Sequence, residues 1–192
     1  MLRPGLQLYD RCLTTSPILT KSITSGCLFG LGDGFAQRVT DQYKAQRMHN
    51  VDERHDWHRT GRMMFWGSVL FAPVGHVWYN FLDRFVRTTG RRAIAQKVAM
   101  DMLIFTPPAN LAFFTSNNLL SGQPMHDAIQ NAWNKLPPTL AVNFAVWPGI
   151  QAITFGVVPL QYRVLFINVM CLGWSSFLSI MASDADVKRT VL

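Results

Sequence analysis

The sequence predicts an all-α membrane protein, a bundle of about four (or five) transmembrane helices led by an amphipathic amino-terminal helix. Three observations carry that prediction. Only 15% of the 192 residues are Asp, Glu, Lys or Arg, while 49% are apolar; an ordinary soluble domain has about 25% charged residues. The charge is missing in blocks: residues 63–82, 102–126, 136–162 and 164–183 are stretches of 20, 25, 27 and 20 residues with no formal charge. A helix needs about 20 apolar residues to cross a hydrocarbon core of about 30 Å, and every block reaches that length. The remaining charges lie between the blocks, as they must where a charge inside the bilayer is costly. The 13 Phe, 6 Trp and 4 Tyr exclude a disordered chain. The three cysteines, Cys12, Cys27 and Cys171, have neither the number nor the spacing of a disulfide scaffold.

The elements follow in order within one integral membrane domain, 1–192. Leu2, Leu6, Tyr9 and Leu13 recur on one helical face, with Arg3, Asp10 and Arg11 elsewhere. This describes a retained interfacial helix, with a cleavable mitochondrial transit peptide as the competing reading. Ser16-Pro17 starts the first span, 17–39, because proline suits the first position of a helix. After the charged stretch Arg38–Arg62 comes the second span, 59–86. The third, 93–120, contains Pro107 and Pro108, where a kink or break is expected, and closes at Ser121-Gly122-Gln123-Pro124. The connector Gln123–Thr139 holds a short amphipathic helix, Ala128–Leu136. Two further helices, 138–155 and 159–181, are interrupted by Pro148 and separated by Gly156-Val-Val-Pro159. They form either two spans or one span beside a slanted helix.

Polar residues within the spans fall on stripes. Gly26, Gly30, Asp33 and Gln37 share one helix face, so two small residues allow close helix approach and two polar ones face the bundle. His76, Asn80 and Asp83 repeat that spacing, as do Asn143, Trp147, Gln151 and Thr154; Arg163, Ile167, Met170 and Trp174 lie on one face of the last helix. Candidate seam or pore residues are Asp33, Gln37, His76, Asp83, Asp101, Gln151 and Arg163. Candidate packing residues are Gly26, Gly30, Trp78, Pro148, Pro159 and Trp174. Either the seams fasten helices by hydrogen bonds, or some line a hydrated path.

The net charge of +7 belongs to the loops. Arg84, Arg87, Arg91 and Arg92 cluster after the second span, where each juxtamembrane cation adds about 1 kcal/mol of attraction to anionic lipid. Membrane lipids with anionic, cardiolipin-like headgroups are the expected partners, with a homo-oligomer or a larger inner-membrane complex. Nucleic acid is not, because the aromatics lie in the spans rather than among the basic residues. With four spans, eight basic residues fall on one side and seven on the other, so the positive-inside rule assigns no orientation. No nucleophile elbow, phosphate loop or metal-ligand spacing accompanies the polar residues, and His49, Asp52, Glu53, His55, Asp56 and His58 read as a solvated loop. No enzyme activity, cofactor or metal is expected.

The chain resembles the Mpv17/PMP22 family of small integral proteins of the mitochondrial inner membrane and the peroxisome. The matching pieces are LGDGFAQ (Leu31–Gln37), DWHRTGRM (Asp56–Met63), PVGHVWYNFLDRF (Pro73–Phe85), Lys97-xxx-Asp101 and WPGIQAITFGVVPLQYR (Trp147–Arg163), continuing to Trp174 and Leu178-Ser179. Three positions depart from the family's usual residues: Ala72 for Gly, Met102 for Gln and Thr154 for Asn. The resemblance implies about four spans in an organelle membrane and a link to membrane homeostasis and mitochondrial DNA maintenance. It also implies, for some members, weakly selective passage of small solutes. A non-transporting accessory subunit, of a respiratory-chain or ATP-synthase assembly, is the alternative expectation. The inner mitochondrial membrane is preferred over the peroxisomal membrane because the amino-terminal arm is basic and amphipathic.

Overall fold

The computed structural model describes residues 4–45 and 55–174, and among them every regular element is a helix. α1 (Pro4–Thr15) and α2 (Pro17–Ala45) are separated by Ser16. Pro17 takes the first position of α2, where its missing N–H is not needed. The Ser16 N–H and the Thr20 hydroxyl both donate to the Cys12 carbonyl at 2.9 Å. Of the amino-terminal apolar face, Leu13 is buried and Tyr9 half-buried, while Leu2 and the Leu6 side chain lie outside the described residues. α2 outruns the expected end at residue 39, because no glycine or proline stops it between Arg38 and Ala45.

α3 runs from Trp57 to Phe85 as an α-helix (Trp57–Phe65), a π-helical segment (Trp66–Phe71) and an α-helix again (Ala72–Phe85). α4 repeats the pattern as Gly90–Met100, a π segment Asp101–Phe105, and Thr106–Leu120. Both π segments stop two residues short of a proline, Pro73 and Pro107. The physical reason is shared. Proline donates no N–H and its ring crowds the carbonyl four residues back, and one wider turn relieves both. Ala72 N–H bonds to the Gly67 carbonyl and Thr106 N–H to that of Asp101, each five residues back. The break expected at Pro107-Pro108 is therefore a widened turn, and the helix continues through it. α4 closes as its sequence predicts: Gly122, at φ +88°, lets its N–H reach the Leu119 carbonyl (2.9 Å) and the Gln123 N–H that of Asn118 (3.1 Å).

α5 (Met125–Gly156) corrects the expectation of two helices, 128–136 and 138–155. It is one helix with Pro137, Pro138 and Pro148 inside it. The first two prolines and the residues four before them, Trp133 and Asn134, are all exposed, so the rings meet no buried neighbour there. The break at Gly156–Pro159 is present. Pro159 precedes the 3-10 turn Leu160–Tyr162, and α6 occupies residues 163–174. The expected end of this helix at residue 181, with Leu178-Ser179, lies outside the described residues.

The chain divides into two compact units, Met1–Pro73 with Ile167–Leu192, and Val74–Phe166. In the first, α2 packs against the start of α3. A Cβ on Gly30 would stand 2.7 Å from Met64 Cγ, one on Gly26 would stand 3.1 Å from Ser68 Cβ, and one on Gly67 would stand 2.7 Å from the Phe29 ring. The close approach anticipated for Gly26 and Gly30 is thus made to α3. Ser25 accepts a 2.6 Å hydrogen bond from the buried Asn168 amide of α6. In the second unit the core gathers Tyr79, Leu82, Ala93, Met102, Phe155 and Val164, with Ala128, Ala132 and Leu136 along α5. Tyr79 meets Phe155 edge-on at 5.8 Å, and Trp78 stacks on Phe105 at 5.1 Å.

Candidate functional site

Polarity is distributed opposite to that of a water-soluble fold. Asp33, Gln37, Asp101, Asn143, Gln151, Arg163 and Asn168 are buried, whereas Leu19, Ile23, Leu31, Phe35, Val77, Phe81, Leu103 and Ile104 are exposed. Lipid tails solvate such an apolar surface, while the polar groups must find partners inside. Among the described helices, Gly90–Leu120 is long and apolar enough to cross a membrane by length and composition.

Each unit builds its own polar network. In the first, the Gly26 and Gly30 contacts bring α3 against the polar end of the same α2 face. Asp33 Oδ1 pairs with Arg59 Nε at 2.8 Å, and its Oδ2 accepts from the Thr60 hydroxyl (2.7 Å) and the Gln37 amide (2.6 Å). The Gln37 side chain also grips the Asp56 backbone, accepting its N–H at 2.8 Å and donating to its carbonyl at 3.2 Å. His55 Nε2 lies 2.9 Å from the Thr60 hydroxyl. Asp56 caps α3 by accepting the Arg59 N–H at 2.9 Å, and that bond holds its carboxyl below the usual carboxylate range.

The second unit holds two acidic groups in different company. Asp83 Oδ1 accepts from Arg163 Nη1 at 2.7 Å and from Lys97, so two cations face one carboxylate. Arg163 also donates from Nε to the Val158 carbonyl (3.3 Å), and its guanidinium lies 5.3 Å from the Phe155 ring centroid. Asp101, fully buried at the start of the π segment, accepts instead from the Trp78 indole (2.8 Å) and the Gln151 amide (2.6 Å). Of the candidate packing residues, Trp78 therefore has a polar role too. Pro148 is half-buried within α5, Pro159 precedes the 3-10 turn, and Trp174 is half-buried in α6. His76 is half-buried, and its carbonyl accepts from Asn80 at 2.7 Å. Thr154, where the family usually has Asn, donates to the Ile150 carbonyl at 2.8 Å.

Asp33 pairs with Arg59 within the first unit, and Arg163 with Asp83 within the second. Arg59, Thr60, Lys97, Ser25 and Asn168 enter these networks without appearing among the candidate site residues. Arg59 and Thr60 lie inside the quoted DWHRTGRM motif and Lys97 four residues before Asp101, so their neighbourhood was visible and their partners were not. His49, Asp52 and Glu53 lie outside the described residues. These arrangements can orient side chains, hold fixed charge and fasten helices.

Comparison with known proteins adds the following. A family model described as Mpv17 / PMP22 family matches residues 118–179. The chain is 39% identical to "Protein sym1" of Aspergillus oryzae over 176 residues, 91% of this chain and 96% of that one. It is 35% identical to "Protein SYM1" of Saccharomyces cerevisiae over 191 residues, 97% of this chain and 94% of the relative. It is 32% identical to "PXMP2/4 family protein 2" of Dictyostelium discoideum over 179 residues, covering 93% and 91% respectively. No solved structure matches.

Proposed function

This chain belongs to the Mpv17 / PMP22 family of membrane proteins, and from that premise we propose that it is a multi-span, non-enzymatic protein of the mitochondrial inner membrane that passes small solutes in a channel-like manner. The observation that carries the reading is the Asp83–Lys97–Arg163 cluster. Two cations on one carboxylate leave a fixed positive charge on helices whose exposed surface is apolar. Such a charge biases a narrow polar path toward anions. Reconstitution of the protein in planar bilayers tests it: discrete conductance is expected, altered by Arg163→Gln and by Asp33→Asn. A protein that stays electrically silent sinks the idea.

A second reading is favoured by a specific observation as well. Asp33, Gln37, Asp101 and Gln151 all bond to other side chains of their own unit, which is what a non-transporting accessory subunit of a large inner-membrane assembly requires. Comigration with a megadalton complex on mild-detergent native gels supports that reading. For the compartment, the support is the family membership and the SYM1 names of relatives. Import of the full chain into isolated mitochondria, with protease protection of both termini, checks it against the peroxisomal alternative.

A further inference from the structure

The turn between α3 and α4 is a concentrated cation with no acidic partner among the described residues. Arg84, Arg87, Arg91 and Arg92 are exposed, residues 84–100 contain no Asp or Glu, and no ion pair to any of the four forms among the described residues. Arg91 also walls one end of an open groove of about 470 Å³, lined further by Ile94, Ala95, Val98 and Ala99 of α4 and by Ala152 of α5. The α4 members recur at three- and four-residue intervals, so they form one helix face. At 1.5 Å per residue they extend the groove about 12 Å beyond Arg91. Three of its lining residues are alanines, and Ile94 packs close to Gly156, where a Cβ would come within 3.2 Å of Ile94 Cδ1. The amino terminus of α4 has no side-chain cap, so its positive end adds to the arginine charge.

A cationic end continuous with an apolar track has the shape of an amphiphile. A water-soluble anion would use the arginines and leave the track empty. A zwitterionic lipid would fill the track and leave the net charge unanswered. We propose that this groove binds an anionic phospholipid, its phosphate against Arg91 and Arg92 and one acyl chain along Ile94 to Ala99 beside Ala152. The site rests on the membrane reading above but not on solute passage, and its test reads binding without conduction.

The full-length protein in non-ionic detergent is titrated with phosphatidylglycerol, phosphatidylcholine or glycerol 3-phosphate, and adducts are counted by native mass spectrometry. Phosphatidylglycerol is expected to bind one per chain, about tenfold or more tighter than phosphatidylcholine. Arg91→Gln with Arg92→Gln weakens it by about 30-fold, since each cation contributes roughly fivefold. Ala99→Leu or Ala152→Leu, both at exposed positions, weakens phosphatidylglycerol by filling the track and leaves glycerol 3-phosphate unchanged. Equal binding of the two lipids, undiminished binding by the arginine variant, or one-for-one competition by glycerol 3-phosphate overturns the site. Conductance without lipid retention overturns this site alone, and lipid retention without conductance overturns passage alone.

Discussion

Asp33 is a carboxylate held by three donors, and their exposure decides what its loss costs. Arg59 is 39% exposed, so water screens much of that ion pair. Thr60 and Gln37 are buried and lose their shortest acceptor, keeping the longer bonds to the Asp56 carbonyl. Asp33→Ala is therefore expected to destabilise the detergent-solubilised protein by about 1–3 kcal/mol, measured by thermal unfolding. Asp56 gives a pH dependence with a definite sign. Its carboxyl is depressed in the folded state by the Arg59 N–H, so its contribution is complete above the unfolded carboxylate range and fades as pH falls through the lower folded value. Asp56→Asn keeps a capping oxygen without a proton to gain. The stability difference between the wild type and this variant should shrink or reverse on acidification; a pH-independent difference would refute the assignment. At this scale the sequence exposes which polar residues share a helix face, because Asp33 and Gln37 are four apart. It conceals partners on other helices: Asp83 and Arg163 are 80 residues apart, and no local spacing links them.

At the scale of elements, glycine marks where α2 and α3 touch, and the two helices answer a methyl group differently. A Cβ on Gly30 would stand 2.7 Å from Met64 Cγ, part of an unbranched chain that can change rotamer, whereas one on Gly67 would meet the Phe29 ring and its Cβ. Gly67→Ala is expected to cost about 1–3 kcal/mol through overpacking. Gly30→Ala should cost less, because an unbranched methionine yields more readily than a ring and helix propensity is gained. Unfolding midpoints of the two variants check the ordering, and equal losses would contradict the packing. Helix positions were largely legible because charge gaps and the Ser16-Pro17 and Ser121–Pro124 signals are local. Continuity through proline was not. Pro107-Pro108 reads as a kink or break and 128–136 and 138–155 as separate helices, yet a widened turn accommodates the first proline pair and Pro137-Pro138 lies among exposed residues of one long helix. A proline states that one hydrogen bond is missing; how the backbone absorbs the loss depends on its surroundings.

For the whole chain, the scarcity of charge goes with the same arrangement in each unit: among the described residues, large apolar side chains are exposed and polar groups are buried with partners. The helical class was legible in the charge-free blocks, although among the described helices one, Gly90–Leu120, is long and apolar enough to cross a membrane by length and composition. The site was legible only as a set of faces, since the partners of Asp33 and Arg163, Arg59 and Asp83, lie on other stretches of the chain. In the proposed passage of small anions, the excess positive charge at Asp83, Lys97 and Arg163 sets the selectivity. Its most direct test is the reversal potential of the protein in planar bilayers under a potassium chloride gradient. The wild type should be anion-biased, Lys97→Gln should reduce the bias and Asp83→Asn should increase it. Absence of discrete conductance in the wild type, or a reversal potential that neither substitution moves, would contradict the account.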